Sequence, residues 1–236
     1  MAKLVLLRHG QSEWNQQNIF TGWVDIPLSP KGIEEAFKAG QKIDHIPFDT
    51  IYTSTLVRAQ MTLFLAMTHS KVGKVPCLIH DKDPKHQEMA KVHDPQVQKT
   101  LIPVFARAEL NERMYGELQG LHKHDTLKKF GEEQYLLWRR SYHVNPPKGE
   151  SLEMTAKRAL PVFQGEIMEQ LKNKKNILIS AHGNSLRAIV MYLDRLSEQE
   201  VIKLEIPTGE PLCYDFRSDG RWVKEPVHHC NDAFKK

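Results

Sequence analysis

Short apolar runs alternate along the chain with longer segments of helical periodicity. The runs Lys3–Leu7, Thr50–Thr53 and Asn176–Ser180 have the length and apolar character of short buried strands. A helix is predicted to follow the first run from Ser29-Pro30, with serine as the N-cap and proline at the first helical position. A second helix is predicted at Leu56–Thr68. Strands and helices that alternate at these lengths predict βαβ units and a parallel sheet.

Similar signals predict the remaining elements. In the first helix the apolar positions Ile33, Phe37 and Ile43 keep rough helical spacing up to Pro47. In the second helix Leu63, Phe64 and Met67 are predicted to face inward. Further helices are predicted at 123–144, 151–172 and 184–194, and Ser197–Glu200 has a capping-box pattern. A terminal hairpin is predicted from Leu212–Phe216 and Arg221–Val223, around residues 218–220.

The segment 70–108 interrupts the alternation. It contains Pro76, Pro84, Pro95 and Pro103 among mixed charges, which predicts a surface insertion with short helical pieces. We interpret the whole chain, 1–236, as a single domain that carries this insertion.

Composition and charge exclude several classes of protein. The net charge is only +4, and Lys and Arg alternate with Asp and Glu rather than forming the basic stripe of a nucleic-acid binder. The three cysteines are far apart and include no Cys-x-x-Cys, which argues against a disulfide framework and a structural zinc site. No apolar segment reaches the length of a signal-peptide core or a membrane span. We therefore expect a soluble cytoplasmic protein with a small-molecule substrate and neither nucleic acid nor membrane as partner.

Histidines follow two of the predicted strands. Arg8-His9-Gly10-Gln11 comes directly after the first run, and His182-Gly183 follows the run that ends near Ser180. Open α/β sheets bind ligands at the carboxyl ends of their strands. Imidazole can be a nucleophile at neutral pH, and arginine offers a permanently charged fork to phosphate oxygens. The pair therefore indicates attack on a phosphoryl group, although either histidine alone could be an ordinary residue at a strand end.

Arg58 and Glu112 are the next candidates. Arg58 lies early in a helix at the sheet end where His9 emerges, and a cation there opposes the helix dipole and needs a nearby anion. A solvated surface arginine is an equally good interpretation of the sequence. Glu112 lies in a polar run among cations and suits proton shuttling for a substrate hydroxyl. From the residues alone, a surface Glu–Arg pair is favoured.

Other polar residues are less specific. The loop 8–28 offers hydroxyl, amide and backbone donors, and its aromatic residues Trp14, Phe20 and Trp23 would stiffen it. Lys123 and Arg139-Arg140 add cations on helices, where most such runs are solvated faces. The scattered histidines match no standard metal spacing and are interpreted as surface residues; they are His80, His86, His93, His122 and His124.

Five segments, in order through nearly the whole chain, closely resemble the 2,3-bisphosphoglycerate-dependent phosphoglycerate mutases of the histidine phosphatase superfamily. They are Leu7–Ser12, Phe20–Trp23, Leu110–Gly116, Trp138–Arg140 and Ala181–Arg187. Arg-His-Gly alone would indicate only the superfamily. The Phe-Thr-Gly-Trp, Asn-Glu-Arg-x-Tyr-Gly and Trp-Arg-Arg segments are the ones that select the mutases.

The resemblance implies a role for each matching residue. His9 would carry the phosphoryl group, Glu112 would donate and accept a proton, His182 would steady the group in transfer, and Arg8 and Arg58 would complete the phosphate pocket. A larger set would bind the substrate phosphate and carboxylate: Ser12, Asn15, Thr21, Gly22, Arg113, Met114, Tyr115, Lys123, Arg139, Arg140, Gly183 and Asn184. The family also implies a flavodoxin-like or Rossmann-like three-layer α/β sandwich with a mostly parallel sheet, a homodimer, 2,3-bisphosphoglycerate as phosphoryl primer, and no metal.

We therefore expect the interconversion of 3-phosphoglycerate and 2-phosphoglycerate. A phosphatase that uses the same histidines is the first alternative. Lys123, Arg139 and Arg140 favour the mutase, because these cations would hold a product until the phosphoryl group is transferred back. A silent phospho-ligand binding module is the second, and it would require a lost nucleophile or acid. Ile19 stands where many members carry arginine, so one cation at the cleft rim is missing.

Overall fold

The sheet contains both predicted and unpredicted strands. The computed structural model describes residues 2–81, 83–217 and 220–225. The strands in this part of the chain are β1 (Ala2–Arg8), β2 (Thr50–Thr53), β3 (Val75–Leu78), β4 (Leu101–Ala106), β5 (Ile177–Ala181), β6 (Pro211–Phe216) and β7 (Trp222–Glu225). They form one sheet in the order β3-β4-β2-β5-β1-β6-β7. The five strands from β3 to β1 run parallel, β6 pairs antiparallel with β1, and β7 pairs antiparallel with β6.

Helices connect the strands and cover the sheet. In the described residues they are α1 (Glu13–Gln16), α2 (Pro30–Ile43), α3 (Val57–Met67), α4 (Pro84–Met89), α5 (Pro95–Lys99), α6 (Lys123–Phe130), α7 (Glu132–Arg140), α8 (Leu152–Val162), α9 (Met168–Lys172), α10 (Gly183–Asp194) and α11 (Glu198–Val201). A short π-helical segment at Phe163–Ile167, shortly after Pro161, joins α8 to α9. The predicted helix 151–172 is therefore present with a local irregularity. Ser29 caps α2 as predicted, since its hydroxyl accepts a hydrogen bond from the Gly32 amide.

The two faces of β1 show the three layers. Leu4 and Leu6 pack in the core beneath α9 and α10, together with Leu171 and Ile189. Val5 and Leu7 point to the opposite face, where they pack with the side chains of α2 and α3. All four β1 side chains are fully buried. The predicted three-layer α/β sandwich with a mostly parallel sheet is confirmed.

Two phenylalanines of the predicted helices lie outside the core, and for Phe64 the predicted inward orientation was wrong. Phe37 and Phe64 are 36% and 38% exposed. The buried face of α2 consists of small residues instead, among them Ala36, Ala39 and Gly40. A Cβ at Gly40 would lie 2.2 Å from the Ala66 carbonyl oxygen of α3. The helices approach too closely for large side chains at their contact, so the phenylalanines lie outside it.

The segment 70–108 is less peripheral than predicted. β4 lies inside the sheet between β3 and β2, and its Ile102 and Val104 are 2% and 0% exposed. The described residues 79–81 and 83–99 of the segment, with α4 and α5, form an excursion from the sheet. Arg107 anchors it, because its guanidinium NH2 lies 2.7 Å from the Asp81 carboxylate and 2.9 Å from that of Glu166.

The remaining predictions concern the chain end and the cysteines. β6 and β7 form the predicted antiparallel hairpin, whose residues 218–219 lie outside the described residues. Cys213 in β6 is disulfide-bonded, which the spacing of the cysteines did not predict. Among the described helices, none has the length and apolarity needed to cross a membrane.

Truncation of Ile102 tests the position of β4. Ile102→Ala should lower the free energy of unfolding by about 2–5 kcal/mol, because it leaves a cavity in the core. Val97→Ala in α5, at a side chain that is 43% exposed, should change it by less than about 0.5 kcal/mol. Urea unfolding of both variants measures the difference. Equally small effects would show that β4 contributes no more to the core than α5.

Candidate active site

Parallel pairing brings three strand ends together. β5 lies between β1 and β2, with Arg8 opposite Ala181 and Thr53 opposite Ser180. The residues directly after these strands are His9, Ser54 and His182, so they meet at one edge of the sheet. The His9 amide also donates a 3.0 Å hydrogen bond to the Ala181 carbonyl. The predicted meeting of the two histidines therefore follows from sheet topology.

His9 is held in one tautomer. Its ring is 2% exposed, and Nδ1 lies 2.7 Å from the Gly10 carbonyl oxygen. A carbonyl only accepts, so the proton is assigned to Nδ1 and Nε2 keeps its lone pair. Burial, Arg58 and Arg8 lower the pKa of His9 well below its ordinary value. The side chain is thus a neutral imidazole with a free nucleophilic nitrogen.

His182 has the complementary arrangement. Its ring centroid lies 4.9 Å from that of His9, and its Nε2 lies 2.7 Å from the Ser54 hydroxyl. That hydroxyl already accepts from the Leu56 amide, so its own proton is available to Nε2. The ring proton is then assigned to Nδ1, which is buried and has no partner among the described residues. Burial, Arg58 and His9 lower the pKa of His182 well below its ordinary value.

Arg58 is buried rather than solvated. It is 1% exposed and donates to the Val24 and Gly22 carbonyls at 2.9 and 2.7 Å. The anion that its position near the start of α3 requires is present, because the Asp25 carboxylate accepts from the Val57 amide. Burial lowers the pKa of Arg58 to about 10, against the opposing effects of Glu112 and Asp25, so it stays charged at neutral pH.

Glu112 is also buried, which excludes the surface-pair interpretation. It is 8% exposed, and its Oε1 accepts from the Arg113 amide and from the backbone and side-chain amides of Asn184. Burial alone would raise the pKa of Glu112, but these hydrogen bonds together with Arg8 and Arg58 lower it. The carboxylate is therefore ionised and ready to accept a proton.

Arg158 is the main site residue that the sequence did not single out. From α8 it donates to the carbonyls of Glu109, Asn111 and Glu112 at 2.7–3.0 Å. It also forms a bidentate pair with Glu150, at 2.8 Å for both contacts. Arg158 thus fixes the backbone of the loop that carries Glu112. Its only sequence signal is a cation beside the buried face of a helix, which is too common to be diagnostic.

Most of the predicted binding residues line one cleft. Beside Arg8, His9, Arg58 and Glu112, the cleft is lined by Asn15, Thr21, Gly22, Tyr115, Lys123, Arg139, Arg140, Gly183 and Asn184. Ile19 lines it as well, at the position noted for its missing cation. Arg187 and Glu205 also line it, although the sequence analysis gave neither a role.

Three predicted binding residues have structural contacts. Ser12 is fully buried and forms a capping box with Asn15 at the start of α1. Arg113 stacks on the Tyr115 ring at 4.7 Å and donates to the Arg139 carbonyl. The Met114 amide donates to Glu150. Their predicted contact with substrate stays a prediction.

Two glycines are required by close contacts. A Cβ at Gly10 would lie 2.3 Å from the Gly32 carbonyl oxygen, so this glycine lets the loop after β1 pass α2. Gly22 has a φ of +54°, and a Cβ there would lie 2.1 Å from the Gln119 side chain.

The charges of the cleft favour an anion. His9, Glu112 and His182 offer ligand atoms within 4.8 Å of one another, a spacing that a cation could use. However, Arg8 and Arg58 both act on the two histidines and on Glu112. Two guanidiniums at this point repel a cation and attract phosphate oxygens.

The comparisons with known proteins agree with this chemistry. The model of the histidine phosphatase superfamily (branch 1) matches residues 4–82 and 87–227. The chain belongs to the histidine phosphatase superfamily. The resemblance found in the sequence motifs is therefore confirmed.

Two curated relatives in this superfamily are named 2,3-bisphosphoglycerate-dependent phosphoglycerate mutase. The one from Protochlamydia amoebophila (strain UWE25) is 56% identical over 225 residues, which cover 95% of this chain and 99% of the relative. The one from Chlamydia pneumoniae is 54% identical over 218 residues, which cover 92% and 95%.

Solved structures with the superfamily fold are more distant. A mycobacterial glucosyl-3-phosphoglycerate phosphatase complexed with VO3 has a TM-score of 0.73 at 21% identity, covering 96% of this chain and 98% of the other. Bacillus stearothermophilus YhfR has a TM-score of 0.73 at 20% identity, covering 97% of both. At this identity the likeness shows the fold alone.

The buried histidines of this superfamily member should make its stability depend on pH. Below about pH 6.5 His9 and His182 bind protons in the unfolded chain but stay neutral in the folded protein, where their pKa values are lowered. The free energy of unfolding therefore falls as the pH is lowered through that value. The loss can reach about 1.4 kcal/mol per pH unit for each histidine. His182→Gln should therefore flatten the slope of unfolding free energy between about pH 6.5 and 5.

The matched control is His124→Gln, a histidine whose side chain is 69% exposed. Because folding does not bury that ring, the slope should stay as in the parent protein. Chemical denaturation at several pH values measures the slopes. Identical slopes in all three proteins would contradict the role assigned to burial.

Proposed function

We propose that this protein interconverts 3-phosphoglycerate and 2-phosphoglycerate through a phosphoryl group carried on His9. The observation that carries the proposal is the pairing of a neutral His9, whose Nε2 is free, with an ionised Glu112 in the same cation-lined cleft. The first is a nucleophile for phosphorus and the second a base for a hydroxyl. The names of the close relatives support the same reaction.

The proposed first step moves the phosphoryl group from a bound phosphate ester to His9. Nε2 attacks phosphorus, the bond between phosphorus and the ester oxygen breaks, and that oxygen leaves with the electron pair and takes a proton from Glu112. Glu112 is ionised in the free cleft, so it carries this proton only after it has taken one up from solvent or from the substrate hydroxyl in the preceding transfer. A bound phosphate dianion favours that uptake because it raises the pKa of Glu112. The His182 Nδ1 proton, Arg8 and Arg58 stabilise the charge on the phosphoryl oxygens.

The return step uses the same groups in reverse. A hydroxyl on the neighbouring carbon attacks the phosphorus on His9, the bond between phosphorus and Nε2 breaks and returns its electron pair to Nε2, and Glu112, ionised after the first step, accepts the hydroxyl proton. In a phosphatase, water would attack instead, with the same histidines. Lys123, Arg139, Arg140 and Arg187 favour the mutase, because cations along the wall can retain the intermediate until it has reoriented.

The residues fit 2,3-bisphosphoglycerate, which would supply the phosphoryl group that primes His9. The Thr21 hydroxyl and Arg8 Nε are buried at the cleft and have no partner among the described residues. Both can donate to a polyanion, as can the cations on the wall. The proposal includes independence of metal ions, a homodimer and a cytoplasmic location, all of which stay predictions.

A direct assay tests the proposed function. We expect turnover of 3-phosphoglycerate that depends on catalytic amounts of 2,3-bisphosphoglycerate and persists with a chelator. The bisphosphate should also leave an acid-labile, base-stable phosphoryl group on the protein, and His9→Ala should abolish it. Labelling of His9→Ala to the same extent would move the nucleophile elsewhere. Steady release of phosphate without mutase turnover would favour the phosphatase.

Glu112→Gln tests the proton shuttle. The amide keeps the shape and can still accept from Asn184, but it cannot exchange the proton, so the mutase rate should fall by about 10²–10⁴-fold. Glu117→Gln is the matched control, since this nearby glutamate pairs with exposed Lys148 instead. Initial rates on 3-phosphoglycerate measure both variants. A rate in Glu112→Gln close to that of the control would reassign Glu112 to a structural role.

A further inference from the structure

A carboxylate stands among the cations of the cleft rim. Glu205 Oε1 lies 2.7 Å from Arg140 NH1, and its Oε2 lies 3.5 Å from Arg187 NH2. The three side chains lie on the wall of the same cleft as His9. A negative charge at this place opposes the anionic ligands that the rest of the cleft attracts, and the transfer chemistry leaves it without a role.

The Arg140–Glu205 pair marks the outer end of the cleft, and Arg187 lies beside it. The Arg140 side chain is 37% exposed, whereas His9 at the floor is 2% exposed. Arg187 is 12% exposed and fixed, since its Nε donates to the Leu204 carbonyl and its NH1 to the Asn184 side chain. Its remaining NH2 faces Glu205. A ligand whose phosphate is bound at His9 would therefore place its opposite end, called the distal end below, near Arg140 and Arg187.

Glu205 is ionised in this position. Burial would raise the pKa of Glu205, but the hydrogen bond from Arg140 and the charge of Arg187 lower it. The three groups together carry a formal charge of about +1. A carboxylate at the end of the ligand away from His9 would balance this charge, whereas a phosphate dianion at that end would exceed it.

We propose that Glu205 is a specificity-determining residue, which competes with the ligand's distal anion for Arg140 and Arg187 and so weakens binding of bisphosphates more than of monophosphates. The inference rests on the proposed function for its ligand class. Because Glu205 weakens bisphosphate binding, a bisphosphate can bind as primer without occupying the cleft so tightly that it inhibits the enzyme. The inference also assigns Arg187 to the distal subsite together with Arg140.

Three phosphonates, whose phosphorus group cannot be transferred to His9, distinguish this effect from a general attraction of the cleft for anions. Methylphosphonate has no distal anion, 3-phosphonopropionate has a distal carboxylate, and ethane-1,2-bisphosphonate has a second phosphonate on the same spacer. Their dissociation constants are measured by calorimetry at a pH where the phosphonates are doubly ionised. Glu205→Gln should tighten 3-phosphonopropionate by roughly two- to five-fold, as expected for an exposed charge interaction. The bisphosphonate should tighten by a larger factor, and methylphosphonate should change least.

Matched variants define the outcome. Glu210→Gln removes a carboxylate that pairs with Lys42 rather than with the cleft arginines, so it should leave all three constants unchanged. Glu205→Asp keeps the charge and should preserve the wild-type order of affinities. In an Arg140→Gln background, the effect of Glu205→Gln on the two-ended probes should shrink.

Three results would overturn the inference. Equal tightening of all three probes would mean a general field effect, and weaker binding of the two-ended probes would mean that Glu205 positions Arg140 for the ligand. No change would mean that the ion pairs are irrelevant to binding. The binding measurement needs no turnover. If Glu205→Gln shifts the ratio of the dissociation constants but the protein has no mutase activity, only the proposed function is contradicted. If the protein has mutase activity but the ratio does not shift, only this inference is contradicted.

Discussion

Holding several guanidiniums close to one another with little access to water is the constraint on which the site depends. Arg58 is buried and Arg8 and Arg158 are partly buried, and their like charges are compensated by Glu112, Glu150 and a set of backbone carbonyls. Those carbonyls belong to residues 22, 24, 109, 111, 112 and 206, which come from three separate loops. Each arginine thus fixes a loop, and each loop satisfies an arginine. Replacing one of them would leave buried carbonyl groups without a donor as well as removing a charge.

The same arrangement leaves donors available to a ligand. The three guanidiniums donate six hydrogen bonds to these carbonyls, while Arg8 Nε, the Thr21 hydroxyl and His182 Nδ1 have no partner among the described residues. Because these groups are already fixed by the fold, binding of an anion requires little reorganisation. The acid–base properties follow from the same burial, which keeps both histidines neutral. Hydrogen bonds and the neighbouring cations keep Glu112 charged against the effect of burial.

The sequence predicted those features that depend on local pattern or on a distinctive motif. Strands β1, β2 and β5, most helices and the cleft position of His9, Arg58 and Glu112 came from it. β4 escaped prediction because prolines such as its Pro103 are typical of loops, although Pro103 pairs in register with Cys77 inside the sheet. Phe64 was misplaced because the close approach of α2 and α3 is a property of two helices together. Arg158 and Glu205 could not be identified because their roles depend on contacts with residues far away in the chain.

The sheet order has a consequence for synthesis of the chain. β1 pairs with β5 on one side and β6 on the other, whereas β2 and β3 both pair with β4. About 170 residues separate the end of β1 from the start of β5, so a ribosome adding 5–20 residues per second needs on the order of 10–30 s to supply the first partner. For that time the apolar Leu4–Leu7 segment has no neighbour in the sheet, while the β2–β4–β3 part can already form. The nascent chain should therefore depend on chaperone protection of its first strand, and His9 after β1 can reach its place in the cleft only when most of the protein has been made.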